Sequence, residues 1–195
     1  LTVSSDHDSP VPSGPDNWDD TGALITASVT SPADQVGGTR YRCTGWTGTG
    51  SAPSSGTGTS ATFAITEPSS VRWNWITQFL FTFTQTGVGT DYSGAMVTID
   101  SLAYDRSGAS FWWDNNSIHS FSFQSPLVVT TDVKRYTWNS TSGLSTLQAD
   151  TITVSNPGTF TGNYKTQWYV TFSQTGVGSD FSDTVVTIDG ANSDR

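Results

Sequence analysis

Residues 71–84 read with a period of two. Val71, Trp73, Trp75, Thr77, Phe79, Phe81 and Phe83 fall on one face, and Arg72, Asn74, Ile76, Gln78, Leu80, Thr82 and Thr84 on the other. A period of two, rich in aromatic and β-branched residues, predicts a β-strand, and one well beyond the usual length of roughly five or six residues. Neither Gly nor Pro interrupts it. The pattern returns at residues 163–173, where Tyr164, Thr166, Trp168, Val170 and Phe172 share a face. Each copy runs into Q-T-G-V-G, at Gln85 and at Gln174, 89 residues apart (85 against 174). In that register Trp75 matches Tyr164, Phe79 matches Trp168 and Phe83 matches Phe172. The spacing predicts that the last strand of one repeat passes straight into the first strand of the next. Such a joint is stiff, unlike a Gly/Ser or Pro-rich linker.

Shorter alternating segments predict further strands at residues 1–5, 24–30, 39–46, 60–66, 95–100, 110–113, 118–124, 133–138, 150–154 and from 160 onward. Residues 6–22, rich in Asp, Pro, Ser and Gly, read as a turn-forming loop, and residues 47–59 as an exposed low-complexity loop. Two copies align with gaps: Trp18-Asp19 with Trp113-Asp114, Ser31-Pro32 with Ser125-Pro126, Arg40-Tyr41 with Arg135-Tyr136. The first copy has no evident counterpart of the strand at 95–100. Residues 168–189 repeat residues 79–100, so a third copy begins. The expected architecture is all-β: tandem antiparallel β-sandwich-like repeat domains joined by continuous strands. The expected units are 1–77, 78–166 and 167–195, the last being the opening hairpin of a third repeat, packed on the second or donated to another subunit.

Composition supports the all-β reading. Glu67 is the only glutamate, and Lys134 and Lys165 are the only lysines, so good helix formers are scarce beside Thr, Ser, Gly and aromatics. The net charge of −9 argues against nucleic acid as a partner and keeps copies mutually repelling. No apolar run approaches the roughly 20 residues of a membrane-spanning helix, and membrane insertion is not expected. The start lacks a basic and then apolar leader pattern, and Leu1 already lies in a strand pattern, so a mature product or a piece of something longer is expected. Cys43 stands alone. That excludes an internal disulfide and fits a small buried hydrophobe.

Candidate chemistry is sparse. The two histidines, His7 and His119, lie in no G-x-S-x-G setting and are expected to be solvated or packed rather than catalytic. No Asp pair is marked for acid–base work, and no catalytic residue is assigned. Asp6, Asp8, Asp16, Asp19 and Asp20 crowd one loop and are hard oxygen ligands suited to calcium, although their spacing is not that of an EF-hand. Asp91 and Asp180, and likewise Asp100 and Asp189, recur after the Gly-rich turns. Trp112 and Trp113 must point to opposite faces, so one is core and the other is available for a sugar or for a neighbouring module. Asn115 and Asn139 head N-x-Ser/Thr triplets and are candidate sites for N-linked glycans. The unfinished third copy presents Trp168, Val170, Phe172, Val186 and Ile188 as an apolar assembly face.

Trp18-Asp19-Asp20-x-Gly22, Gly45-Trp46-x-Gly48 and the closing Phe63…Trp73-Asn74-Trp75 together resemble the divergent internalin-B-type repeats of large bacterial and archaeal surface proteins. The likeness covers most of residues 1–77. Residues 78–166 look like a diverged relative that keeps Trp138 but loses the Gly-Trp pair. What the resemblance implies is a β-rich spacer, stalk or adhesive module at the cell surface, with no catalytic residues to carry over. The expected function is that of an extracellular structural protein, a stalk or filament or surface-layer subunit, partnered by copies of itself or adjacent repeats. The alternatives are a carbohydrate-binding or adhesin module recognising surface glycans, and an accessory domain of a secreted hydrolase.

Overall fold

The computed structural model describes residues 1–14, 17–189 and 191–193, and among them there are strands and no α-helix. In the N-terminal part β1 (Thr2–Ser4), β2 (Leu24–Ser28), β3 (Ala33–Val36), β4 (Thr39–Thr49), β5 (Ser55–Gly56) and β6 (Ser60–Ala64) lead to β7 (Ser70–Thr86). Next come β8 (Val97–Ile99), β9 (Leu102–Tyr104), β10 (Ala109–Asp114), β11 (Ile118–Phe123), β12 (Leu127–Thr130), β13 (Lys134–Gly143), β14 (Ala149–Thr153) and β15 (Gly158–Trp168). A last hairpin is made by β16 (Val186–Ile188) and β17 (Ala191–Ser193).

Everything is hung on β7. Its 17 residues span about 55 Å at the rise of an extended chain. Along one edge it pairs antiparallel with β4 over Ser70–Phe79 and then parallel with β15 over Phe81–Thr86. Along the other it pairs parallel with β1 at Ser70–Arg72 and then antiparallel with β10 at Gln78–Phe83. One nine-stranded sheet results, ordered β12-β13-β15-β7-β4-β3 with β1, β10 and β5 attached.

Two smaller sheets cover that sheet and enclose two separate cores. The two-stranded sheet β2–β6 supplies Ala27, Ala61 and Phe63, which meet Val3, Cys43, Trp46, Val71 and Trp73 of the large sheet. The sheet β14-β11-β8-β9 supplies Val97, Ile99, Phe121 and Phe123, which meet Phe81, Phe83, Trp113, Tyr136, Phe160 and Tyr164. Phe83 and Phe160 stack with centroids 4.9 Å apart across the β7–β15 ladder. Both cores draw on the odd-numbered face of β7, as the alternation requires.

The pairings around one core recur around the other. Cys43↔Trp75 and Trp138↔Tyr164 occupy matching rungs, and in each ladder a bulge follows at once. Leu24↔Ala64 matches Ile118↔Thr153. Ser31 Oγ accepts from the Cys43 amide at 2.9 Å, as Ser125 Oγ does from Trp138 at 3.1 Å. Thr2↔Ser70 corresponds to Thr82↔Thr159, so β1 stands beside the N-terminal core where the second half of β7 stands beside the C-terminal one.

Several expectations need correction. The run 163–173 ends its ladder at Trp168, and residues 169–173 lie outside any sheet, with no counterpart of β10 or β15 beside them among the described residues. The 47–59 segment is folded back rather than a free loop: β4 continues to Thr49, β5 pairs with it, and Ala52 is buried. Gly56 lies flat on the Trp46 ring, where a Cβ would collide with it. The first unit does have a rudiment of β8, since Val11 bridges Ser28 where Thr98 pairs with Ser122. The alternation did not announce β3, β5, β9, β12 or β17.

Candidate functional site

The most elaborate polar arrangement lies where the two cores meet on β7. Gln78 is buried and its rung partners are Arg40 on one side and Asp114 on the other, which puts three side chains in a row on one face. Arg40 Nε donates to Gln78 Oε1 at 2.8 Å, and Gln78 Nε2 donates to Asp114 Oδ1 at 2.8 Å. Arg42 Nη2 closes on Asp114 Oδ2 at 2.6 Å. The Arg40 guanidinium lies 4.3 Å from the centroid of the Trp112 ring. Backbone contacts complete the joint: Asn115 N–H to Thr77 O at 2.8 Å and Leu80 N–H to Gly38 O at 2.8 Å. Partial burial, the largest influence on Asp114, pushes its carboxyl upward, but the hydrogen bonds from Arg42 and Gln78 outweigh it and hold the group below its usual range. Burial first, and Arg42 second, lower Arg40. An amide that accepts from a cation and donates to an anion leaves neither charge unpaired.

At the far end of β15 half of this arrangement is repeated. Arg135 Nε donates to Gln167 Oε1 at 2.8 Å, and Tyr169 N–H donates to Val133 O at 2.9 Å. The ladder between β15 and β7 stops at Asn163, which leaves that edge of β15 open toward Trp168. A cleft of about 590 Å³ opens here, lined by Val128, Asp132, Val133, Arg135, Trp168 and Tyr169 among others. Lys134 Nζ is held at 2.7 Å by Asp91, whose other oxygen takes the Tyr136 hydroxyl at 2.6 Å. The Lys134 bond, and next that of Tyr136, lowers Asp91, while Asp91 in turn raises Lys134.

The proposed assembly residues lie beside this cleft. Trp168, Val170 and Phe172 are exposed, and Val186 and Ile188 are half-buried in the last hairpin. The turn that precedes this hairpin already has the geometry of its counterpart: Gln174 Oε1 accepts from the Val177 amide at 3.1 Å, as Gln85 does from Val88 at 2.9 Å. Of the acidic loop, Asp6 pairs with Arg72 at 3.0 Å and Asp8 accepts from the Thr30 amide at 2.5 Å. Asp19 and Asp20 are exposed and Asp16 lies outside the described residues. Among the described residues no three acidic, His or Cys side chains converge on a common point. Asn139 is exposed at the β13 bulge, whereas Asn115 is half-buried in the β10–β11 turn. Trp113 is core and Trp112 is the one left for the joint, while Trp46 is buried with Nε1 donating to Ser60 O.

The histidines are packed. His7 stacks on Tyr41 with centroids 3.4 Å apart and meets Asp34 at 3.0 Å. His119 stacks on Trp113 at 3.8 Å, with Nδ1 2.6 Å from Asp100 and Nε2 2.9 Å from Ser117 Oγ. That chain of three has the order of a hydrolytic triad, a juxtaposition the sequence did not reveal. Ser117 Oγ, however, donates to Asp114 O, and the amides of Asn115, Asn116, Ser117 and Ser120 are all engaged elsewhere. None of these four amides is therefore free to stabilise an oxyanion, the largest contribution to acyl-transfer catalysis, and the Asp100 bonds to His119 and Ser120 pin the β8–β9 turn to β11. No family model, curated protein or solved structure matches the chain.

Proposed function

We propose that the chain is part of an extracellular structural protein, a stiff stalk, filament or surface-layer element built of β units. One observation carries this reading: β7 belongs to both cores, so the units share backbone and cannot turn about a linker. The Arg40–Gln78–Asp114 row fixes the same joint against twist. Strand addition is a natural mode of assembly, because Val170-Thr171-Phe172-Ser173 has the alternation of Leu1-Thr2-Val3-Ser4 and its apolar side chains are exposed. The test is residual dipolar coupling on dilute monomer. One alignment tensor must fit both units. Two tensors, or small-angle scattering of a flexible pair, would overturn the reading.

A second reading, carbohydrate recognition, has Trp168 and Tyr169 in its favour, exposed at the rim of the same cleft. Glycan binding by monomer, lost in Trp168→Ala, is the result that supports it.

A further inference from the structure

We infer that the open end of β15 is the acceptor half of a joint whose donor half is the Trp18–Thr21 segment of a second copy, docked head to tail. The inference rests on the structural reading above and adds to it a partner, a direction and a register.

The internal joint has two halves. The N-terminal unit contributes Arg40, Gln78, the Thr77 carbonyl and Gly38, and the C-terminal unit contributes Trp112, Asp114, Asn115 and Pro157. The acceptor half is reproduced at the far end of β15. Arg135 and Gln167 are rung partners joined by the same bond at the same 2.8 Å as Arg40 and Gln78. The carbonyls of Val133 and Gly38 receive equivalent amides, from Tyr169 and Leu80. Among the described residues the Gln167 amide nitrogen, unlike that of Gln78, donates to nothing.

The donor half is reproduced at the opposite end of the molecule. Backbone bonds fix its register: Gly22 N–H to Ile65 O matches Asn116 N–H to Val154 O, and Ala23 N–H to Asp20 O matches Ser117 N–H to Asp114 O. This register corrects the sequence alignment by one residue, making Asp20 the counterpart of Asp114, and Trp18 that of Trp112. Both segments therefore read Trp-x-Asp. Thr21 then stands for Asn115 and Pro68 for Pro157. Trp18 is 98% exposed, and with Thr21 and Pro68 it lines a second cleft of about 370 Å³.

Placed on the open edge of β15 in the register of β10 on β7, the second copy sets Asp20 opposite Gln167 and Trp18 opposite Tyr169. Asp20 accepts from the Gln167 amide, the Trp18 ring covers the Arg135 guanidinium, and the Thr21 amide meets the Thr166 carbonyl. Antiparallel addition to a strand edge gives the affinity, and the Trp and Asp give the register. One element is missing: Thr137 occupies the place of Arg42, so the contact between copies lacks the ion pair of the internal joint. Because donor and acceptor are different surfaces at opposite ends of the molecule, the contact is heterologous and leads past dimer to a series rather than to a closed two-fold pair.

Sedimentation velocity on the 195-residue chain, carried into the high micromolar range, tests this. The expected result is a concentration-dependent series running past dimer. Arg135→Glu and Asp20→Arg each abolish it, and an equimolar mixture of the two restores association, because each variant supplies the half that the other lacks. Thr137→Arg strengthens the series. Circular dichroism on the exposed-site variants verifies that they fold. A wild-type chain that stays monomeric, a dimer that closes at two, or association that survives Arg135→Glu would each overturn the inference; in the first case the occupant is further sequence of a longer polypeptide. Rigid monomers that never associate leave the structural reading standing, whereas units that reorient freely remove that reading whatever the association.

Discussion

Asp114 accepts a 2.8 Å hydrogen bond from Gln78, and across that bond the C-terminal unit is tied to the strand it shares with its neighbour. On the other side of the same amide is Arg40. Truncating Gln78 would leave a partly buried cation and anion with one partner fewer each. Gln78→Ala is expected to destabilise by about 2 kcal/mol, in the range for losing a buried hydrogen-bonding partner of charged groups. Urea denaturation measures it. Gln167→Ala, at the exposed counterpart, is expected to change stability within about 0.5 kcal/mol.

Acid and alkali act on different groups. Asp91 and Asp114 have lowered carboxyl pKa values, so their contribution is full above the unfolded carboxyl value of about 3.9 and is lost as pH falls through the lower folded values. Lys134 is raised, and its contribution is full below the unfolded value of about 10.4 and fades as pH rises past it. Tyr164, raised by burial, acts in the same direction: its neutral phenol is favoured in the fold, where it donates to Gln124 O at 3.0 Å. Denaturation midpoints against pH should therefore fall on both flanks. Asp114→Asn should flatten the acid limb and Tyr164→Phe the alkaline one; unchanged limbs would contradict the assignment.

Two buried indoles differ in one atom's surroundings. Trp46 Nε1 donates to Ser60 O at 3.3 Å, while Trp73 Nε1 is buried with no partner among the described residues. Replacement by Phe costs ring volume at both sites, but only at Trp46 does it forfeit a hydrogen bond, and at Trp73 it relieves an unpaired donor. Trp73→Phe is expected to be milder than Trp46→Phe by about 1–2 kcal/mol, measured as the difference in unfolding free energy.

Gly87 and Gly176 provide an internal control for backbone strain against packing. Both have positive φ, 91° and 88°. A Cβ on Gly87 would run into the Tyr164 carbonyl, whereas one on Gly176 would meet nothing within 4 Å among the described residues. Alanine at Gly176 is expected to cost only the left-handed backbone penalty of about 1 kcal/mol, and at Gly87 clearly more, read from thermal midpoints. Equal losses would show that the fit around Gly87 is looser than it looks.

Strands were legible where burial of one face shows as alternation in the sequence. The alternation through Phe81 and Phe83 reports a core directly, and the recurrence of Q-T-G-V-G reported the register. The edge strand Ala33–Val36 carries little burial contrast and left little trace, while Leu127–Thr130 buries Leu127 but keeps the equally apolar Val128 exposed, so no alternation marked it. The joint was invisible for another reason. Arg40, Gln78 and Asp114 are far apart in the chain and lie on the face that alternation marks as polar, so their meeting depends on strand order, which no local pattern encodes. Asp100 likewise meets Ser117 and His119 only through the pairing of β8 with β11. Trp18 was noticed in the sequence, but its match to Trp112 rather than Trp113 emerged only from the backbone bonds at Gly22 and Ala23.

One consequence of β7 is mechanical. A pull applied between the ends of the molecule enters along the axis of that strand, parallel to the ladders it makes with β4 and β15. The rungs are then loaded in shear, many together, instead of being unzipped one after another. Resistance to tension comes from geometry here, with no disulfide across the joint to provide it.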